Sequence, residues 1–171
     1  MKKLFVFLLL LIIFPINVYA DERVEVKFKK CVDGDTAKVV MKKKTITVRF
    51  LAIDTPETSH PTKKEEPYGK EAKKFTCEYL KKAKKVELEF DKNSDKKDKY
   101  DRYLAWVFVD NYLLQSLIVE NGFAEVTYLY GDYKYTPILQ DKENLAKINK
   151  KGIYSDVDNS EYTLSKDFSL K

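Results

Sequence analysis

The sequence predicts an α+β domain of five strands and three helices, with the strands rolled into a small closed barrel. Three observations lead there. Apolar and polar residues alternate in three stretches, as they do in strands with one buried face, and Thr36–Met41 and Tyr103–Val109 read as two more strands. Two other stretches space their apolar residues three and four apart, as amphipathic helices do, and Thr136-Pro137 signals the start of a third helix. A chain of 171 residues makes one ordinary domain with a single core, and closing the sheet hides the edges of five short strands. Periodicity by itself does not close the barrel.

Residues 1–20 stand outside that domain. Lys2-Lys3, an apolar run from Leu4 to Phe14 and Val18-Tyr19-Ala20 have the three parts of a secretory signal peptide. The run is shorter than the ~20 apolar residues that span a bilayer. An uncleaved anchor is the alternative. Cleavage after Ala20 leaves a mature chain from Asp21, and the folded domain is expected over residues 21–154.

The first strand holds Val24, Val26 and Phe28 between charged neighbours and runs on to Val32. Thr36 to Met41 is the second, and Lys42-Lys43-Lys44 a polar hairpin tip. In the third, Ile46, Val48, Phe50 and Ala52 share one face while Thr45, Thr47 and Arg49 share the other. Arg49 is thus aimed from a rigid element. A polar, Pro-containing loop (57–68) precedes a helix from about Lys70 to Lys84, with Ala72, Phe75, Tyr79, Leu80 and Ala83 on one stripe. Val86, Leu88 and Phe90 mark a fourth strand, residues 91–101 a charged loop, and Tyr103 to Val109 the fifth strand. Leu113, Leu114, Leu117 and Ile118 form a short helix that stops at Asn121-Gly122. Thr136-Pro137 reads as the N-cap and first turn of a third helix ending near Lys150-Lys151-Gly152. Residues 155–171 are polar, without periodicity, and read as a frayed tail.

The formal net charge is +5, falling to +3 once Lys2 and Lys3 leave with a leader that holds no acid. So small a value does not by itself indicate nucleic-acid binding. Lysines gather at 63–64, 81–85, 96–99 and 150–151 with acids interspersed, the usual pattern of solvated faces. Cys31 and Cys77 make an even count in a chain read as exported, which suits a disulfide. Two buried thiols satisfy the same count, and two cysteines without nearby histidines are poor zinc ligands.

Chemistry-bearing residues cluster at two strand ends. Asp33-Gly34-Asp35-Thr36 closes one strand, and Arg49 leads through Asp54-Thr55-Pro56-Glu57-Thr58 at the end of another. Alone, Asp-Gly is a common hairpin turn. With Thr55 stiffened by the following proline, however, Asp35 and Asp54 can pinch a hard cation, with a spare carboxylate nearby to orient water. Glu57 is the candidate base, because His60, the single histidine, sits in the loop and reads as incidental. Arg102 begins the fifth strand, where it either joins Arg49 on a phosphate or merely pairs with Asp101 or Asp98. Tyr128 and Tyr130 fall on one side of an extended segment and either stack a base or pack. Asp91, Asn93 and Asp95 imitate an EF-hand opening, but Lys96 and Arg102 stand where that loop needs glycine and glutamate.

Together these segments resemble the staphylococcal nuclease (thermonuclease) family. The likeness runs through Val32-Asp33-Gly34-Asp35-Thr36, residues 48–58, Tyr68-Gly69-Lys70-Glu71-Ala72, residues 98–105 and Tyr128-Leu129-Tyr130, and covers roughly 24–154. It implies an oligonucleotide-binding (OB-fold) five-stranded barrel with three helices, acting as a monomeric, calcium-dependent nuclease. DNA and RNA would be the substrates, cut with little sequence preference to leave 3′-phosphate ends. Asp35, Asp54 and the Thr55 carbonyl would ligate calcium, Glu57 would activate water, and Arg49 and Arg102 would be the catalytic arginines. Lys99, Tyr100, Tyr128 and Tyr130 match positions lining the nucleotide site. Asp101 and Tyr103 depart from the family's glycines, and Asp101 would either compete with phosphate for Arg102 or point outward. Gly131-Asp132-Tyr133 is also a departure, and the cysteine pair is absent from the best-known member.

Two other classes share many of these residues: a binding barrel that has lost catalysis, and a secreted structural domain that uses calcium only for stability. Retention of Arg49, Glu57, Arg102, Asp35 and Asp54 favours the enzyme. A lysine-led leader suits a Gram-positive-like export route, with the product released or kept at the cell surface.

Overall fold

A computed structural model describes residues 22–58 and 66–155. The expected leader (1–20), His60 and residues 156–171 of the expected tail lie outside them. In chain order the elements are β1 (Val24–Cys31), β2 (Thr36–Met41), β3 (Lys44–Phe50), β4 (Ile53–Asp54), α1 (Gly69–Lys82), β5 (Val86–Glu89), β6 (Tyr103–Val109), β7 (Tyr112–Leu113), α2 (Leu114–Glu120), β8 (Glu125–Val126) and α3 (Thr136–Ile148). The five long strands form a closed mixed barrel of the OB type. Antiparallel neighbours run β3-β2-β1-β5-β6, and β3 then pairs in parallel with β6, matching Arg49 to Leu104 and Phe50 to Ala105. That last pairing joins segments more than fifty residues apart, so no local pattern announces it.

Inside lie Val48, Phe50, Leu88, Trp106, Ile118 and Leu139, all nearly inaccessible to water. Trp106 is the single tryptophan. Its Nε1 donates to Asp91 Oδ2 at 2.8 Å, and its ring meets Tyr135 edge-on. Asp91 also accepts the backbone N–H groups of Asn93 and Lys134. The false EF-hand start is therefore a buried polar anchor rather than an exposed ligand. Gln115, fully buried on α2, bonds both the Ala105 carbonyl and the Val107 N–H and so completes the backbone bonding of β6.

Three elements differ from expectation. β3 ends at Phe50, not Ala52, because the chain turns at Leu51-Ala52 with Ala52 in the left-handed region (φ 60°). Thr136 is not the N-cap of α3; Tyr135 takes that place, and Thr136 Oγ1 is buried without a hydrogen-bond partner. Tyr128 is left-handed (φ 57°), so the segment carrying Tyr128 and Tyr130 bends instead of running extended.

A disulfide joins Cys31 at the end of β1 to Cys77 in α1, with the Cα atoms 5.8 Å apart. It ties the helix to the root of the Asp33–Asp35 turn, and the neighbouring Thr76 Oγ1 donates to the Gly34 carbonyl at 2.6 Å. A bridge spanning 46 residues is worth about 4 kcal/mol by the chain-entropy estimate. Reduction, or Cys31→Ala with Cys77→Ala, is expected to lower the melting temperature by more than ten degrees in a differential scanning experiment; an unchanged transition would contradict it.

Candidate active site

A cleft of about 990 Å³ opens where β2, β3 and β4 approach the start of β6. Strand geometry brings its acids together. Thr36 pairs with Arg49 across β2 and β3, and the Phe50 N–H donates to the Asp35 carbonyl, so Asp35 continues the ladder beside Arg49. The Asp35 carboxylate is buried and well held. Thr36 Oγ1 donates to Oδ1 at 2.8 Å, and the Thr55 N–H and hydroxyl donate to Oδ2 at 3.1 and 3.3 Å. Gly34 lets these turns close: a Cβ there would sit 2.7 Å from Thr55 Oγ1.

Arg49 is the buried hub. Its Nη1 donates to the carbonyls of Phe50 (2.9 Å) and Ile53 (2.7 Å), which pins the turn that ends β3. Its Nη2 lies 3.2 Å from Asp35 Oδ2 and 2.7 Å from Asp54 Oδ1. The two aspartates thus converge on one nitrogen. Burial pushes the Asp54 carboxyl above its ordinary range; Arg49 opposes the rise and the Asp35 charge adds to it. Tyr128 caps this corner, its hydroxyl 3.4 Å from Asp54 Oδ2 and its ring centroid 5.7 Å from the Arg49 guanidinium carbon. The Asp54 charge and partial burial raise the Tyr128 hydroxyl pKa in turn.

Glu57 lies on the same cleft wall. Partial burial, then a hydrogen bond to Asp33, then the charges of Asp33, Asp35 and Asp54 push its carboxyl up to about 7. Its backbone N–H donates to Glu66 at 3.0 Å. Arg102 also lines the cleft and is held by Asp98: Nε donates to Oδ2 at 2.6 Å and the backbone N–H to Oδ1 at 2.9 Å. Burial works against the Asp98 charge, but these bonds and the Tyr100 N–H hold its pKa below the ordinary value. Tyr100 is exposed, with Lys99 Nζ 5.1 Å and the Arg102 guanidinium carbon 5.4 Å from its ring centroid. Tyr128 and Tyr130 stand exposed with ring centroids 6.3 Å apart.

Every side chain read from the sequence as catalytic, calcium-ligating or nucleotide-lining therefore borders this cleft, except Thr55, which lies behind it on Asp35. Asp101 points away, binding Lys97 at 2.6 Å, and takes the left-handed φ of 62° that glycine would otherwise favour. Asp101→Gly is accordingly expected to change stability by less than about 1 kcal/mol and leave turnover within twofold, as thermal melts and steady-state rates would check. Sequence reasoning passed over Asp33, whose Oδ1 accepts from the Gly34 N–H and the Thr58 hydroxyl and whose carboxylate faces Glu57. The signal was in view, since Asp33 opens the same acid-glycine-acid turn.

The staphylococcal nuclease homologue family model matches residues 47–156, more than half of the chain. The chain belongs to the staphylococcal nuclease family. Relatives bear this out. It is 43% identical over 135 residues to the SPbeta prophage-derived endonuclease YokF of Bacillus subtilis, covering 78% of this chain and 45% of that protein. Endonuclease YncB of the same organism is 41% identical over 133 residues, covering 77% and 62%. The chain thus spans about half the length of these two relatives. The thermonuclease of Staphylococcus hyicus is 36% identical over 129 residues, with 75% of each chain covered.

Proposed function

We propose that this member of the staphylococcal nuclease family is an exported, monomeric, calcium-dependent endonuclease. Its substrates would be DNA and RNA, cut with little sequence preference to leave 3′-phosphate ends. The observation that carries the reading is the convergence of two arginines, a carboxyl pushed up to about 7 and a pair of aspartates on one cleft. Among the described residues no group of three or more His, Cys, Asp or Glu side chains is placed to hold a metal ion. The donors suit calcium nonetheless. Asp35 and Asp54 reach the same Arg49 nitrogen, so one ion can touch both, with the Thr55 carbonyl and water filling a hard-oxygen set. When bound, calcium would supply Lewis-acid stabilisation of the phosphoryl oxygen.

The chain's own groups do the rest. Glu57 accepts a proton from the attacking water as the new phosphorus–oxygen bond forms, and the bond to the 5′ oxygen breaks with that oxygen taking a proton from solvent to leave as a hydroxyl. Arg49 and Arg102 donate to the phosphoryl oxygens, whose negative charge grows towards the transition state; fixed donors stabilise that state more than the ground state. Three N–H groups of Arg49 already donate to Phe50, Ile53 and Asp54, and Nη2 also pairs with Asp35, so a phosphate bound at Nη2 shares that nitrogen with the aspartates. Tyr100, Tyr128 and Tyr130 offer rings to bases, and Lys99 a charge to the backbone; such contacts carry little sequence information.

The test is direct. The chain from Asp21 should nick plasmid DNA and degrade RNA with calcium, and not with chelator. Its products should resist polymerase extension until treated with a 3′-phosphatase. Calcium-dependent melting without hydrolysis would favour a structural role, and binding without hydrolysis a barrel that has lost catalysis.

A further inference from the structure

We infer that the outer face of α1 is an extended binding track for the nucleic-acid strand that occupies the cleft, resting on the nuclease reading above. The cleft is poorly charged for drawing in a polyanion: its lining carries five carboxylates against four cations. The neighbouring recess along α1 has the opposite balance. Lys70, Lys73, Lys74 and Lys81 line it with a single acid, Glu78, whose Oε2 is occupied by Lys82. Spacing explains the concentration. Ala72, Thr76 and Leu80 turn inward at every fourth position, which leaves Lys70, Lys74 and Lys81 exposed and half-buried Lys73 and Cys77 on the flank between. Cys77 is drawn to β1 by its bridge, so the helix is fixed to the barrel.

The recess and the cleft adjoin. Thr58 lines the recess, and its hydroxyl donates at 3.1 Å to Asp33, which lines the cleft. A strand leaving the cleft past Glu57 therefore meets the carboxylates of Asp33 and Glu66 at the edge, and beyond them the lysines of α1. From Lys73 to Lys81 the helix rises about 12 Å, room for roughly three or four phosphates of a strand in B-form spacing. The lysines supply attraction that carries no sequence information, as backbone contacts do.

Length dependence provides the test. Binding of a labelled 30-nucleotide single strand and of a four-nucleotide strand is followed by fluorescence anisotropy in chelator, across a salt series. A variant carrying Lys73→Gln, Lys74→Gln and Lys81→Gln should bind the 30-mer about tenfold more weakly at low salt. The slope of log K against log salt should fall by about 2, while the four-nucleotide strand is unaffected. The matching Lys→Arg variant should bind like wild type, and equal melting temperatures would show that the fold is intact. With calcium, kcat/KM should drop on the long substrate alone. Unchanged affinity and slope in the Gln variant, or wild-type binding that gains nothing from length, would overturn the inference. So would lysine-dependent binding to phosphatidylglycerol vesicles with none to the 30-mer. If wild type cleaves neither substrate, the nuclease reading fails while the anisotropy series still decides the track.

Discussion

Arg102→Ala is expected to lower kcat about 10²–10³-fold, the usual loss when one preorganised donor to a developing oxyanion is removed. Its melting temperature should move little, since the side chain is partly exposed and pairs with Asp98 at the surface. Arg49→Ala should lose at least as much turnover, but for two reasons. Arg49 is buried, bonds two backbone carbonyls and separates two aspartates. Deleting it strands those carbonyls and leaves like charges facing one another, at a cost of about 3–5 kcal/mol. That is a large share of a typical domain's 5–15 kcal/mol. The two arginines therefore separate in a paired measurement of single-turnover rate and thermal unfolding: Arg102 moves the rate alone, Arg49 moves both. Wild-type turnover in Arg102→Ala would remove that residue from the mechanism.

Glu57→Gln carries the second large effect. The amide keeps the shape and loses the proton acceptor, so kcat is expected to fall at least about 10²-fold with calcium saturating. The same substitution has an opposite signature in the calcium-free fold. The Glu57 carboxyl is pushed up from 4.5 to about 7 on folding. Between those values the unfolded chain has released the proton that the native chain still holds, so stability falls as pH rises through the interval. The Gln variant lacks that loss. In chelator it should melt higher than wild type at pH 8 and alike at pH 4. A lower melting temperature at pH 8 would mean that Glu57 is stabilised by its surroundings as an anion.

The parts legible in the sequence were those set by local pattern. Alternation located β1, β3 and β5, a continuous apolar run marked β6, and the position of Arg49 opposite Val48 and Phe50 followed from the two-residue strand period. Its burial did not, because what buries it is the Leu51-Ala52 turn and two carbonyls brought round by it. The two-residue strands β4, β7 and β8 are too short to show a period. Arg102 was left between Asp98 and Asp101, since both lie within four residues of it. The left-handed φ of Asp101 decides this by turning that carboxylate towards Lys97. Asp33 was read as half of a turn because its influence on Glu57 crosses two strand ends and has no spacing in sequence.

Trp106 has a practical consequence. As the sole indole in the chain, sealed in the barrel and hydrogen-bonded to Asp91, it should emit at short wavelength and shift to the red only when the barrel opens. Intrinsic fluorescence then reports the integrity of the core without a label, and every substitution in the cleft can be judged damaged in chemistry or in architecture from one spectrum.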